Sequence, residues 1–240
     1  MKFGKIVAGI SLLWSFGMMA CSDSSTEPSM EEILAEYSVA YEFNDPMNVG
    51  LDFFGKNNAI LDNGMPAVAV ENGSLVLDGT SGLRIPLSED FKNRSFVIET
   101  RFMPTKPAKL GNIFSADPPG SGVNGWMVRM EDSKVSFHIR GSAGSWNDFL
   151  LDEVSMNEWH VLRVKFYYTG VGELAVEAYK LEITLDGKNA VSEILYDEAS
   201  RLEYDLGIGY DPHRQSQYES RFFTGKIDYI RYGRISEEGL

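Results

Sequence analysis

From Val39 onward the apolar and polar positions fall into a two-residue rhythm. Phe96, Ile98, Thr100 and Phe102 alternate with Val97, Glu99 and Arg101. Val135, Phe137 and Ile139 alternate with Ser136, His138 and Arg140. Leu162, Val164 and Phe166 alternate with Arg163, Lys165 and Tyr167, and Leu181, Ile183 and Leu185 with Glu182, Thr184 and Asp186. A period of two over such stretches predicts strands with one face against a core and one toward water. Turn chemistry separates them: Asp62-Asn63-Gly64, Glu71-Asn72-Gly73, Asp78-Gly79, Glu131-Asp132-Ser133 and Asp186-Gly187. No long helical pattern follows residue 38. The expectation is an all-β fold, a sandwich of two antiparallel sheets. With no internal repeat and no linker, it forms one domain over residues 38–240.

The first stretch follows a different rule. Lys2 and Lys5 precede Ile6 to Ala20, which carry no charge. That run is too short for a span of roughly 20 residues and fits the apolar region of a signal peptide. Met18-Met19-Ala20-Cys21 closes it and resembles the lipobox of a bacterial lipoprotein. The resemblance implies cleavage after residue 20, with a diacylglyceryl thioether and an amide-linked acyl group on Cys21. One acyl chain holds a protein weakly at a membrane and two or more hold it stably. Residues 1–20 are thus read as signal peptide and 21–37 as a lipidated N-terminus and short flexible tether, with a turn or two of helix over Met30–Tyr37. Ser22 is compatible with sorting to the outer membrane. The expected location is the bacterial cell envelope, as an outer-membrane lipoprotein facing the periplasm or the exterior.

Composition narrows the partners. Cys21 is the only cysteine, so no disulfide forms within the chain, and the fold rests on its apolar core. The net charge of −13 repels phosphate backbones, which excludes electrostatically driven nucleic-acid binding.

Several segments, in order, carry a family resemblance. Tyr41-Glu42-Phe43-Asn44-Asp45 opens the domain, and Gly73-Ser74-Leu75-Val76-Leu77-Asp78-Gly79 follows. Phe96 to Phe102, Gly125-Trp126-Met127-Val128, Glu158-Trp159-His160-Val161-Leu162 and Leu185-Asp186-Gly187 come next, and Phe223 to Arg231 closes the set. Together they resemble laminin G-like and concanavalin A-like lectin/glucanase domains. The resemblance covers about residues 41–234 and implies a jelly roll whose first and last strands lie together. It also implies a candidate structural Ca2+ between Asp45 and Asp228, at the two ends of the domain; hydrogen-bonded or solvated aspartates are the alternative. Trp126 and Trp159 open apolar alternating stretches and are expected in the core.

No catalytic residue is assigned. The β-glucan-cleaving members of that superfamily carry Glu-x-Asp-x-Glu on a strand, which aims three carboxylates into one cleft, and no such triplet occurs here. Glu99 reads as a lone, solvated carboxylate. Gly120, Gly122 and Gly125 spell a dinucleotide fingerprint but follow Pro118-Pro119 and precede a strand, so no helix N-terminus faces a phosphate. The three histidines lack metal-ligand spacing.

Ligand chemistry concentrates in loops. Gly141 to Asp148 reads Gly-Ser-Ala-Gly-Ser-Trp-Asn-Asp. An aromatic face there suits the C–H face of a sugar, with Asn147 and Asp148 placed for its hydroxyls. Asp117, Tyr210, Asp211, His213 and Arg214 supply further polar groups. The leading expectation is an anchored, non-catalytic module that binds a polysaccharide or other glycan, or serves adhesion. A glycan-active hydrolase or lyase with an atypical site and a structural protein-interaction module are the alternatives.

Overall fold

The computed structural model describes residues 29–117, 124–141, 145–172, 176–196, 202–213 and 221–236. Within them lie one short α-helix, α1 (Met30–Leu34), one 3-10 turn (Glu89–Phe91) and fifteen strands. These are β1 (Val39–Tyr41), β2 (Ile60–Leu61), β3 (Ala69–Glu71), β4 (Ser74–Asp78), β5 (Leu83–Ile85), β6 (Phe96–Pro104), β7 (Ala108–Ala116) and β8 (Gly125–Asp132). They continue with β9 (Lys134–Arg140), β10 (Trp146–Glu153), β11 (His160–Val171), β12 (Glu177–Leu185), β13 (Lys188–Tyr196), β14 (Leu206–Ile208) and β15 (Thr224–Arg234).

The strands form two antiparallel sheets. The eight-stranded sheet runs β13-β12-β11-β6-β15-β4-β3, with β1 also on β15; the seven-stranded sheet runs β10-β9-β8-β7-β14-β5-β2. All four alternating stretches are strands, and the first strand pairs with the last, Val39 opposite Tyr232. Two hairpins close on the expected turn residues. Asn72-Gly73 joins β3 to β4 and Asp186-Gly187 joins β12 to β13, each with φ near +50° and then +75°, the left-handed pair that a two-residue hairpin turn demands.

The inner faces meet over a predominantly apolar core. Trp126 and Phe114 from the seven-stranded sheet press against Phe96 and Tyr232 from the eight-stranded one. The Trp126 ring lies 4.9 Å from Phe114, 5.8 Å from Phe96 and 6.2 Å from Tyr232, centroid to centroid. Trp126 is therefore the core residue its strand pattern implies.

Trp159 differs. It is only half-buried and lies under the Arg101 guanidinium, 4.6 Å from ring centroid to Cζ. Carried back from inward Leu162 and Val164, the alternation of β11 puts position 159 on the outer face, with Val161 and Arg101.

The segment expected as a free tether is partly fixed to the domain. Ser29 caps α1 in a reciprocal box with Glu32, at 3.2 and 2.7 Å. Leu34 and Tyr37 bury against Ala40 and Val97, forming a small cluster separate from the main core. Val97 alternates with inward Phe96 and Ile98, so this cluster sits on the outer face of the eight-stranded sheet. Glu99, on the same face, is no lone solvated carboxylate. It accepts from Tyr37 Oη at 3.0 Å, Arg163 at 2.8 Å and Arg231 at 3.3 Å. Arg163 also reaches Glu36 at 2.5 Å. Alternation points Glu99 outward but does not show the helix that covers it.

Candidate functional site: the outer face of the seven-stranded sheet

Partners in an antiparallel ladder share a face, so the register reads out a row of side chains. Asp148 on β10 stands opposite His138 on β9, His138 opposite Met127 on β8, and Met127 opposite Ser115 on β7. The row continues through Gly207 on β14 to Arg84 on β5. One step toward the chain crossings, Trp146 stands opposite Arg140. One step the other way, Ser136 stands opposite Arg129. All of these point away from the core, because Phe137, Ile139, Trp126 and Val128 fill the opposite face.

Trp146 is the centre of this surface. It is half-buried, with the Arg140 Cζ 4.6 Å from its ring centroid and the His138 ring edge-on at 6.4 Å. Beside it, His138 is held from both sides. Nδ1 meets Asp148 at 2.5 Å, while Nε2 meets Ser136 Oγ and Glu131 at 2.8 Å. Arg129 donates to Glu131 at 2.9 and 2.7 Å. His138 itself is buried, whereas Asp148 keeps 62% of its side chain in solvent. The result is a half-buried aromatic ring, covered on one face by Arg140 and flanked by fixed hydrogen-bonding groups.

A second cluster adjoins it. Asp117, Asp211 and Arg221 come together beside Met127. Arg221 pairs with Asp117 and reaches the Met127 sulfur at 3.8 Å. Asp211 accepts the His213 backbone N–H at 2.9 Å. Both carboxylates are about 1% exposed. Burial, and next the Asp117 carboxylate beside it, pushes Asp211 up to about 7. Such a group stabilises the fold fully below its unfolded value near 4 and loses that contribution as pH rises toward 7. Asp211→Asn does not titrate. Urea midpoints measured from about pH 4 to about pH 8 should therefore show the variant gaining on the parent chain as pH rises. A constant difference would contradict this linkage.

The structure sorts the expected ligand residues. Trp146 and Asp148 lie on the outer face. Asn147 alternates inward and lines a cleft at the end of the sandwich, with Phe96, Trp126, Phe166 and Leu195 below and Arg94 and Asn124 beside it. The cleft encloses about 450 Å³, counting the part open to solvent, and Arg140 lies on its rim. Asp117 and Asp211 meet each other in the buried cluster. Tyr210 is buried, stacked on Phe222 at 5.9 Å with its hydroxyl donating to Asp62. It supports β14 and offers a ligand no surface. His213 turns its ring to the Asp205 carbonyl at 2.9 Å. Cys21 and Arg214 lie outside the described residues.

The two aspartates expected around calcium have separate partners. Asp45 caps its own turn through Met47 N and Asn48 Nδ2, at 2.8 and 2.7 Å. Asp228 accepts from Arg101 at 2.6 Å and Ser74 at 3.4 Å. Among the described residues no three His, Cys, Asp or Glu gather as ligands. An ion on Asp228 would have to displace Arg101, so the donors as placed do not fit a calcium site.

Sequence reasoning misses Arg140 and His138 as neighbours of Trp146, and Ser136, Met127 and Arg129 as members of the same sheet face. Alternation places His138 and Arg140 outward, but only the register sets them beside β10.

No protein-family model and no curated protein sequence matches the chain. Solved structures share its fold. Domain 4 of AbnA, a GH43 extracellular arabinanase from Geobacillus stearothermophilus, solved with arabinotriose, superposes with a TM-score of 0.58 at 18% identity, over 84% of this chain and 94% of that one. The botulinum neurotoxin type G receptor binding domain gives 0.54 at 13%, over 84% of this chain and 49% of that one. The serotype D ligand binding domain with N-acetylneuraminic acid gives 0.54 at 12%, over 85% and 49%. The chain thus spans about half of each toxin domain and nearly all of the arabinanase domain. It shares with them a jelly-roll β-sandwich fold.

Proposed function

We propose that this chain is a non-catalytic carbohydrate-binding module of the laminin G-like/concanavalin A-like type, anchored in a bacterial cell envelope through Cys21. The observation that carries the reading is Trp146, whose ring is held by Arg140 on an outward sheet face with Asp148 beside it. A pyranose or furanose ring stacks on such a face, and Asp148, with Arg140 at the ring, fixes its hydroxyls. Sandwich neighbours solved with arabinotriose and with N-acetylneuraminic acid support the class of ligand. The enzyme alternative is weaker: Asp148, His138 and Ser136 are linked in series, but Ser136 is fully buried and its hydroxyl also meets Glu131 at 3.0 Å, so it presents no nucleophile to a substrate.

Charge favours neutral glycans. The chain carries −13, and two arginines of the face, Arg129 and Arg221, are already paired with Glu131 and Asp117. A glycan array probed with the intact protein is expected to retain neutral oligosaccharides over sulfated or uronic ones. Binding to no glycan would remove the carbohydrate reading. Incorporation of labelled palmitate, lost in Cys21→Ser, tests the anchor separately.

A further inference from the structure

The loop that follows β1 displays apolar side chains to solvent. Leu51 is 49% exposed and Phe53 50%, and Phe54 stands edge-on to Phe53 at 5.4 Å. Exposed Lys56 follows them. This is a built loop. Asp52, buried at its centre, accepts from Ala40 N at 2.9 Å and from Lys56 N and Asn57 N at 3.1 Å. Phe53 N donates to the Ala40 carbonyl at 2.7 Å, and Ala59 N to Gly50 at 2.8 Å closes the base. A Cβ at Gly50 would lie 1.9 Å from the Ala59 carbonyl oxygen, so that closure requires glycine. A buried carboxylate thus fixes two phenylalanines outward, where burying them on a partner costs little ordering.

The loop's place in the fold ties it to the N-terminal segment. Its backbone is held by Ala40, and Ala40 packs with Leu34, the last residue of α1, and with Tyr37 just after it. Cys21 is eight residues before Ser29, a reach of about 28 Å when extended. A chain tied to a bilayer at Cys21 therefore keeps this side near the membrane. The Trp146 surface belongs to the other sheet and faces the opposite way.

We propose that the Leu51–Phe54 loop rests in the interfacial layer of the bilayer, with Lys56 toward the headgroups, so that the glycan-binding face is turned outward. Aromatic rings with an adjoining cation suit that layer. This inference rests on the anchor at Cys21. The test uses the full chain purified from bacterial membranes and reconstituted in phosphatidylcholine vesicles. An environment-sensitive fluorophore is placed on Phe54→Cys and, as control, on Leu150→Cys, which is exposed on the outer face of the seven-stranded sheet. Thiol labelling of the parent chain reports independently whether Cys21 is blocked.

The expected result is blue-shifted emission at position 54, protected from iodide and quenched by brominated lipid, with position 150 remaining in water. A protein that floats with the vesicles while both labels stay in water overturns the inference and leaves the anchor intact. A protein that does not float overturns both. Shielding at position 54 that grows with protein concentration in detergent alone would assign the loop to a protein contact instead, against the proposal.

Discussion

Trp146→Ala is expected to weaken glycan binding at least about tenfold, a loss of about 1.4 kcal/mol or more, while the domain stays folded. The ring is half-buried and lies on the outside of an edge strand. Its visible support is the Arg140 guanidinium and the His138 edge. Arg140 is buried, so the cation–π contact contributes up to roughly 2 kcal/mol to stability, and the melting temperature should fall by about 4–8 °C. Stacking on a sugar depends on the aromatic face itself, and the neighbouring ring beside it among the described residues, His138, is buried. Trp146→Phe should retain part of the affinity. Titration calorimetry with a glycan retained on the array checks both variants, and unchanged affinity in Trp146→Ala would take the ring out of the site.

Trp126→Ala should give the reverse pattern. This ring is 2% exposed and bridges the sheets between Phe114, Phe96 and Tyr232. Removing a buried tryptophan costs about 3–5 kcal/mol, from lost transfer energy and the cavity left behind. For a domain of this size that lowers the melting temperature by roughly 10 °C or more. Binding measured well below the transition should be less affected than stability. Two tryptophans of one sheet, on β8 and β10, therefore should separate by variant phenotype, Trp126 holding the sandwich together and Trp146 bearing the proposed ligand face. Calorimetric scans of the two variants side by side make the comparison, and a Trp126→Ala midpoint within a few degrees of the parent would contradict the core assignment.

Alternation alone makes the two faces of each strand legible. Phe96, Phe137, Val164 and Ile183 all point inward, and Asn72-Gly73 and Asp186-Gly187 turn where their chemistry requires. Alternation says nothing about which strands lie side by side. That is why Trp146 can be singled out from its polar, glycine-rich surroundings while Arg140 and His138, its cross-strand neighbours, cannot. The same blindness affects Asp117 and Asp211. Both read as polar loop groups, yet they meet in a buried cluster because β7 and β14 are neighbours. Asn147 is a simpler case. Once residues 146–153 are a strand, its side chain must face opposite to those of Trp146 and Asp148.

The docking of α1 does leave a signal in the sequence. Val97 is apolar on a face where Glu99 and Arg101 are charged, and an apolar outward residue needs a cover, here Leu34 and Tyr37. Trp159 leaves one too: Leu162, Val164 and Phe166 face inward, so by the same alternation position 159 falls on the outer face beside Arg101.

The most direct test of the outward face as the ligand surface is nuclear magnetic resonance of the tryptophan side chains. Indole N–H signals of the intact protein, assigned by single substitutions, would be followed during titration with a retained glycan. The account predicts that the Trp146 signal moves in proportion to occupancy while Trp159, on the other sheet's side, stays fixed. Movement of Trp159 with Trp146 unmoved would contradict it.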